Sequence, residues 1–152
     1  MRSGESVSKP PERLQFHWQL DVYKLSMDGA TEIFEASKAF PKEEIYSLTD
    51  QIRRSSRAVS AIFAEAWRRR RYKAAFVNKL NESEGEAAET QVWLEYAVKW
   101  GCVDRQKARE LHRTYDNTIG KLVTMANQPG AWLLKPTRED DSLSPLRTFS
   151  PA

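Results

Sequence analysis

The residues with the clearest chemical potential are arginines. Arg68, Arg69, Arg70 and Arg71 are consecutive, Arg53, Arg54 and Arg57 precede them, and Lys73 follows. On a helix, Arg53 and Arg57 are neighbours one turn apart with Arg54 beside them, so the set can form one cationic face leading into a cationic corner. Guanidinium groups bind phosphates bidentately and displace their counterions, which makes such a surface suited to RNA or DNA. Trp67 and Tyr72 flank the run and could stack on unpaired bases or on the arginines themselves. The competing reading is a solvated helix end, whose cations complement the negative end of the helix dipole and pair with acidic residues further along the chain.

Those acidic residues are Glu82, Glu84, Glu86, Glu89 and Glu95. Glu82, Glu86 and Glu89 share a helical face. Carboxylate-bridged metal centres in helical bundles also need a Glu-x-x-His motif from each of two helices. The two histidines, His17 and His112, have Leu14 and Arg109 at the required position, so no metal is expected and the glutamates are read as ion-pair partners. Cys102 has no neighbouring base in sequence and is read as a packed thiol. There is no phosphate-binding glycine loop, zinc spacing or nucleophile elbow, so neither a cofactor nor an enzymatic activity is expected.

Charge is distributed unevenly. The net charge of the 152 residues is only +3, but residues 42 to 73 carry nine Lys or Arg against four acids, while residues 74 to 103 carry two against five. A single cysteine rules out an intramolecular disulfide and suits a reducing compartment. With no apolar leader at the N-terminus and no long apolar run, a cytoplasmic protein without membrane contact is expected.

The elements that must position these residues read as helices. Trp18, Val22, Leu25, Gly29, Ile33, Ala36 and Phe40 form one apolar stripe over a segment from about Phe16 to Ala39. Gly29 lies on that stripe and marks a close helix approach or a weak point. Phe40-Pro41 ends the segment, and Pro41 serves as an early position of the next helix. Ile45, Leu48, Ile52, Ser55, Val59, Ile62 and Ala66 continue in strict three-four alternation. A third helix carries Phe76, Leu80, Ser83, Ala87, Thr90, Leu94 and Ala97 and ends at Gly101, a C-cap. A fourth starts at the N-cap Asp104 and turns Ala108, Leu111, Tyr115, Ile119 and Leu122 inward. Residues 1–13 and 129–152 read as a flexible N-terminal and a mostly disordered C-terminal tail around a four-helix domain at 14–128, with Trp132 as a candidate hydrophobic clasp. Short connections predict an all-α, antiparallel up-down-up-down bundle.

The stretch from Phe40-Pro41-Lys42-Glu43 through Leu48-Thr49, Gln51-Ile52-Arg53-Arg54-Ser55 and Ala64-Glu65, then Phe76, Ser83, Glu86, Glu89-Thr90-Gln91, Ala97 and Gly101, closely resembles the 23S ribosomal RNA intervening-sequence protein family. The resemblance covers roughly residues 14 to 128. Where that family often has Asn before an Ile-Ala-Glu-Gly segment and Gly at its end, this chain has Ile62 and Ala66. The resemblance implies a four-helix bundle that assembles into a homopentamer with a basic surface. It implies little about activity, although a related group, the accessory proteins of diversity-generating retroelements, resembles nucleic-acid and reverse-transcriptase binders.

The functional expectation is a homo-oligomer that binds RNA or DNA through Arg53, Arg54, Arg57, Arg68, Arg69, Arg70, Arg71 and Lys73. The alternative is a structural or adaptor oligomer for a protein partner, with the arginines in ion pairs between subunits.

Overall fold

The computed structural model describes residues 14–135. Residues 1–13 and 136–152, the expected N-terminal tail and most of the C-terminal tail expected at 129–152, lie outside the described residues, whereas residues 129–135 are described. Four helices dominate: α1 (Asp21–Ser37), α2 (Leu48–Arg68), α3 (Lys73–Lys99) and α4 (Arg105–Asn127), with single 3-10 turns at His17–Gln19, Lys42–Glu44 and Pro129–Ala131. No strand is present among the described residues. The helices pack in a ring, α1 on α2, α2 on α3, α3 on α4 and α4 on α1, with no diagonal packing among the described residues.

The caps explain several boundaries. The Asp104 carboxylate accepts the amide of Lys107 at 2.9 Å and starts α4. Gly101 takes a left-handed φ of 74° at the end of α3, where its amide reaches the Val98 carbonyl and the Cys102 amide reaches that of Ala97, the double bond of a Schellman turn. Both caps agree with the sequence. The start of α1 does not. The Gln19 side chain accepts the amides of Gln15 and Phe16, which closes a separate turn, and Leu20 is extended at ψ 139°, so α1 begins at Asp21 and Trp18 stacks on Phe16 instead of joining the stripe.

Pro41 likewise starts only a 3-10 turn. The Glu44 carboxylate accepts from the Ser47 hydroxyl and the Leu48 amide, and this cap delays α2 to Leu48. Ile45, expected inward, is therefore 49% exposed. From Leu48 to Val59 the expected stripe is buried, but beyond it Phe63 and Trp67 turn inward in place of Ile62. The cause is geometric: a strict three-four alternation averages 3.5 residues per turn, and a straight helix at 3.6 drifts away from it.

The core has two apolar clusters. One joins Ile33, Ile52, Val59, Leu94, Leu111 and Tyr115, and the other joins Val22, Phe63, Trp67, Phe76, Leu80 and Leu122. Between them, on each helix in turn, lies a buried hydroxyl: Ser26, Ser60, Ser83 and Thr118. Ser26 and Ser60 hydrogen-bond at 2.8 Å, Ser83 donates to the Val59 carbonyl, and Thr118 donates to that of Thr114. A further pair, Ser55 and Thr90, meets at 2.8 Å between α2 and α3. Every one of these hydroxyls is satisfied, so the belt avoids the cost of a buried unpaired polar group while its small side chains let the helices approach. Gly29 serves that approach where α1 meets α4, with the Tyr115 ring directly above it.

Candidate nucleic-acid interface

The sequence candidates lie on α2, on the connection that follows it and, for Lys73, at the first residue of α3, and they fall into two groups. Arg53, Arg54 and Arg70 are engaged within the chain. The Arg53 Nε donates to the Ser37 hydroxyl at 2.7 Å, and its guanidinium lies 4.8 Å from the centre of the Phe34 ring, so it ties α2 to α1. The Arg54 guanidinium donates to the Glu89 carboxylate at 2.6 Å and lies 3.5 Å from Glu86. Glu89 also accepts from the Trp93 indole. The Arg54 side chain is half-exposed, so this pairing contributes only about 0.2–1 kcal/mol. It does use the glutamates of α3 as cation partners, and within one subunit.

Arg70 is the most deeply engaged. Its guanidinium stacks 3.6 Å from the centre of the Trp67 ring, its Nε donates to the Trp67 carbonyl at 2.8 Å, and Nη1 donates to the Trp132 carbonyl at 3.4 Å. The Arg70 carbonyl in turn accepts the Leu134 amide. Burial, aided by the neighbouring charge of Arg68, pushes its pKa down to about 10. Trp132 packs edge-on against Trp67, so the expected clasp exists, with Arg70 as its pin. Trp67 is 2% exposed and its indole donates to the Gln15 carbonyl. It is a core residue that carries an arginine, not a platform for bases.

Arg57, Arg68, Arg69, Arg71 and Lys73 form the second group. All are exposed, and none of their side chains has an ion-pair or hydrogen-bond partner among the described residues. They cluster where α2 ends at Arg68 and α3 begins at Lys73, with Arg57 further back on α2. Tyr72, 65% exposed, stands among them. Four free cations beside an open phenol ring, with Arg57 about 16 Å further back along α2 at a rise of 1.5 Å per residue, can hold phosphates and stack one base.

The remaining candidates are structural. Cys102 packs beside the first cluster, and burial together with the charges of Glu44 and Glu43 raises its pKa, which keeps it a protonated thiol. No group of three or more His, Cys, Asp or Glu side chains converges to hold a metal among the described residues. No described helix is long and apolar enough to cross a membrane. A second cationic row, Arg105, Arg109 and Arg113, is absent from the sequence candidates, although its spacing of four residues stands in "RQKARELHR".

Residues 18–124 match the sequence pattern of the family described as 23S rRNA-intervening sequence protein. No curated protein matches the chain. Among solved structures, the chain is similar to a protein of unknown function from the S23 ribosomal protein family of Bacteroides thetaiotaomicron, with 25% identity and a TM-score of 0.63 over 69% of this chain and 97% of that one.

Proposed function

The chain belongs to the 23S rRNA-intervening sequence protein family, and on that premise we propose that it is a non-enzymatic, cytoplasmic, self-associating protein that binds RNA or DNA at the α2–α3 corner. The observation that carries this reading is the set of free cations, Arg68, Arg69, Arg71 and Lys73 beside exposed Tyr72, with Arg57 further back on α2. Arg53, Arg54 and Arg70 hold the surface in shape from behind. An antiparallel up-down-up-down order is supported by the core: α1 and α3 run from the Trp67 cluster toward the Tyr115 cluster, and α2 and α4 run the other way. The family resemblance supports a five-copy ring, in which repetition of the corner would build a continuous cationic surface from a weakly charged subunit.

Fluorescence anisotropy with labelled single-stranded and duplex RNA and DNA across a salt series tests the proposal. Affinity should be weak in sequence preference, and its logarithm should fall linearly with the logarithm of salt concentration. The reading fails if the triple change Arg68→Gln, Arg69→Gln, Arg71→Gln leaves low-salt affinity intact in a folded protein.

A second reading, an adaptor oligomer for a protein partner, is favoured by one observation. Val92, Tyr96 and Trp100 leave an apolar stripe exposed on α3, with the Tyr96 and Trp100 rings 4.8 Å apart. If the same arginine changes lower the assembled mass measured by light scattering, the arginines serve assembly.

A further inference from the structure

Toward the other end of α3 from the arginine corner, α3 and α4 enclose an open groove of about 610 Å³. Lys73 and Lys99, the ends of α3, are separated by roughly 39 Å at a rise of 1.5 Å per residue, so the groove and the corner are separate places on the molecule. The volume lies within the range of small-ligand sites, about 300–1,000 Å³.

Its lining has three chemically different parts. Leu94, Val98 and Ala108 form an apolar floor. Arg105, Arg109 and Arg113 line the α4 side one turn apart, and Lys99 faces them from α3. The three arginines and Lys99 are exposed and have no ion-pair or hydrogen-bond partner among the described residues. This contrasts with Lys107 on the same helix, which is paired with Glu32 at 2.6 Å. The third part is a carboxylate pair, Glu95 and Asp116, at 3.4 and 3.8 Å from opposite nitrogens of His112. Asp116 also accepts from Gln91 at 2.8 Å, which fixes one of its oxygens and leaves acceptor capacity facing the groove.

A ligand that suits all three parts has a flat apolar portion, a multiply charged anion and hydrogen-bond donors. We propose that the α3–α4 groove binds a nucleoside phosphate, either free or as one unit of a single-stranded nucleic acid. The base lies on the Leu94–Val98–Ala108 floor, the phosphates meet the Arg105–Arg109–Arg113 row, and Glu95 and Asp116 accept from sugar hydroxyls or a base amine. Successive arginines of the row are about 6 Å apart along the helix axis, so adjacent phosphates of an extended strand can each find one. An acidic peptide would satisfy the arginines, but its carboxylates would be repelled by Glu95 and Asp116 and would offer them no donor. A duplex is wider than the cleft between two helices packed at about 8–10 Å.

The test uses the full chain at about 50 mM salt, where phosphate binding is strongest. AMP, ATP and inorganic pyrophosphate are titrated by calorimetry, and a labelled adenylate RNA of about ten nucleotides is titrated by anisotropy. The groove variant is Arg109→Gln with Arg113→Gln, both exposed positions whose change leaves the core intact. The corner variant is Arg68→Gln, Arg69→Gln, Arg71→Gln. ATP should bind the wild type, should bind the groove variant at least about tenfold more weakly, and should bind the corner variant with at most a small loss, whereas the RNA, which the corner also holds, should lose affinity in both variants. ATP binding without RNA binding identifies a free nucleotide as the ligand; RNA binding without ATP binding identifies a strand.

Three results overturn the proposal: no binding of either probe, affinity undiminished in the groove variant, or pyrophosphate binding as tightly as ATP, which would leave the floor without a role. RNA binding that disappears only in the corner variant would uphold the corner and overturn the groove. RNA binding that disappears only in the groove variant would do the reverse.

Discussion

The Tyr115 hydroxyl oxygen lies 3.0 Å from the position that a Cβ at Gly29 would occupy, with two further ring atoms within 3.2 Å. Tyr115 is fully buried, and its hydroxyl has no hydrogen-bond partner among the described residues. The absence of a side chain at one position and the presence of a large one at the other are a single packing solution between α1 and α4.

Gly29→Ala should therefore destabilise the protein even though alanine is the better helix former. Overpacking costs about 1–3 kcal/mol and propensity returns about 1 kcal/mol, for a net loss of up to about 2 kcal/mol in chemical denaturation. Tyr115→Phe removes the atom nearest the new methyl group. Alone it should be neutral or slightly stabilising, because it deletes an unpaired polar group, and in the Gly29→Ala background it should recover part of the loss, the two close ring carbons remaining. Additive effects of the two changes would disprove the coupling.

Burial, with the charge of Glu32 as a lesser cause, raises the Tyr115 pKa well above its usual 10. The folded protein thus keeps a proton that the unfolded chain gives up near pH 10, so the contribution is whole below that pH and is lost as pH rises above it. The expected slope is about 1.4 kcal/mol per pH unit from this one residue. Arg70 acts in the opposite sense over the same range, because its pKa is lowered, but it is common to wild type and Tyr115→Phe. Denaturation at pH 9, 10 and 11 should therefore show the variant gaining on wild type with each step. Parallel profiles would show that Tyr115 ionises as it does in the unfolded chain.

The four consecutive arginines should not behave alike. Arg70→Gln should release the Trp132 segment, with faster amide exchange at Leu134 and a change in tryptophan fluorescence. Arg68→Gln and Arg71→Gln should leave both signals unchanged and instead reduce the salt dependence of nucleic-acid binding, by about 0.7–0.9 in slope for each phosphate that is no longer neutralised. Equal effects from all of them would mean that the division into pin and free cations is wrong.

The limits of sequence reading fall where local rules give way to distant partners. Asp104, Gly101 and the Leu48–Val59 stripe depend on interactions within a few residues, and the sequence places them well. Gly29 is legible as a close approach, but the tyrosine that approaches it is not. Ile45 escapes the periodic pattern because the Glu44–Ser47 cap competes with the helix that Pro41 would otherwise begin. Arg70 looks like its neighbours in sequence, and only a partner 62 residues away sets it apart. The groove row on α4 is readable as spacing, but its freedom from ion pairs is not, since Lys107 among the same residues is paired.

The buried hydroxyls also fix distances. Ser60 bonds to Ser26 on α1, while Ser55 and the Val59 carbonyl bond to Thr90 and Ser83 on α3. Sliding α2 by a single residue would move each of its bonding groups about 1.5 Å along the axis and turn it by roughly 100°, breaking all three bonds at once, whereas an all-leucine seam would tolerate the slip. The helices are therefore indexed like notched rods, and the corner and the groove are held at a set spacing. A strand long enough to reach both would meet a gauge of constant length.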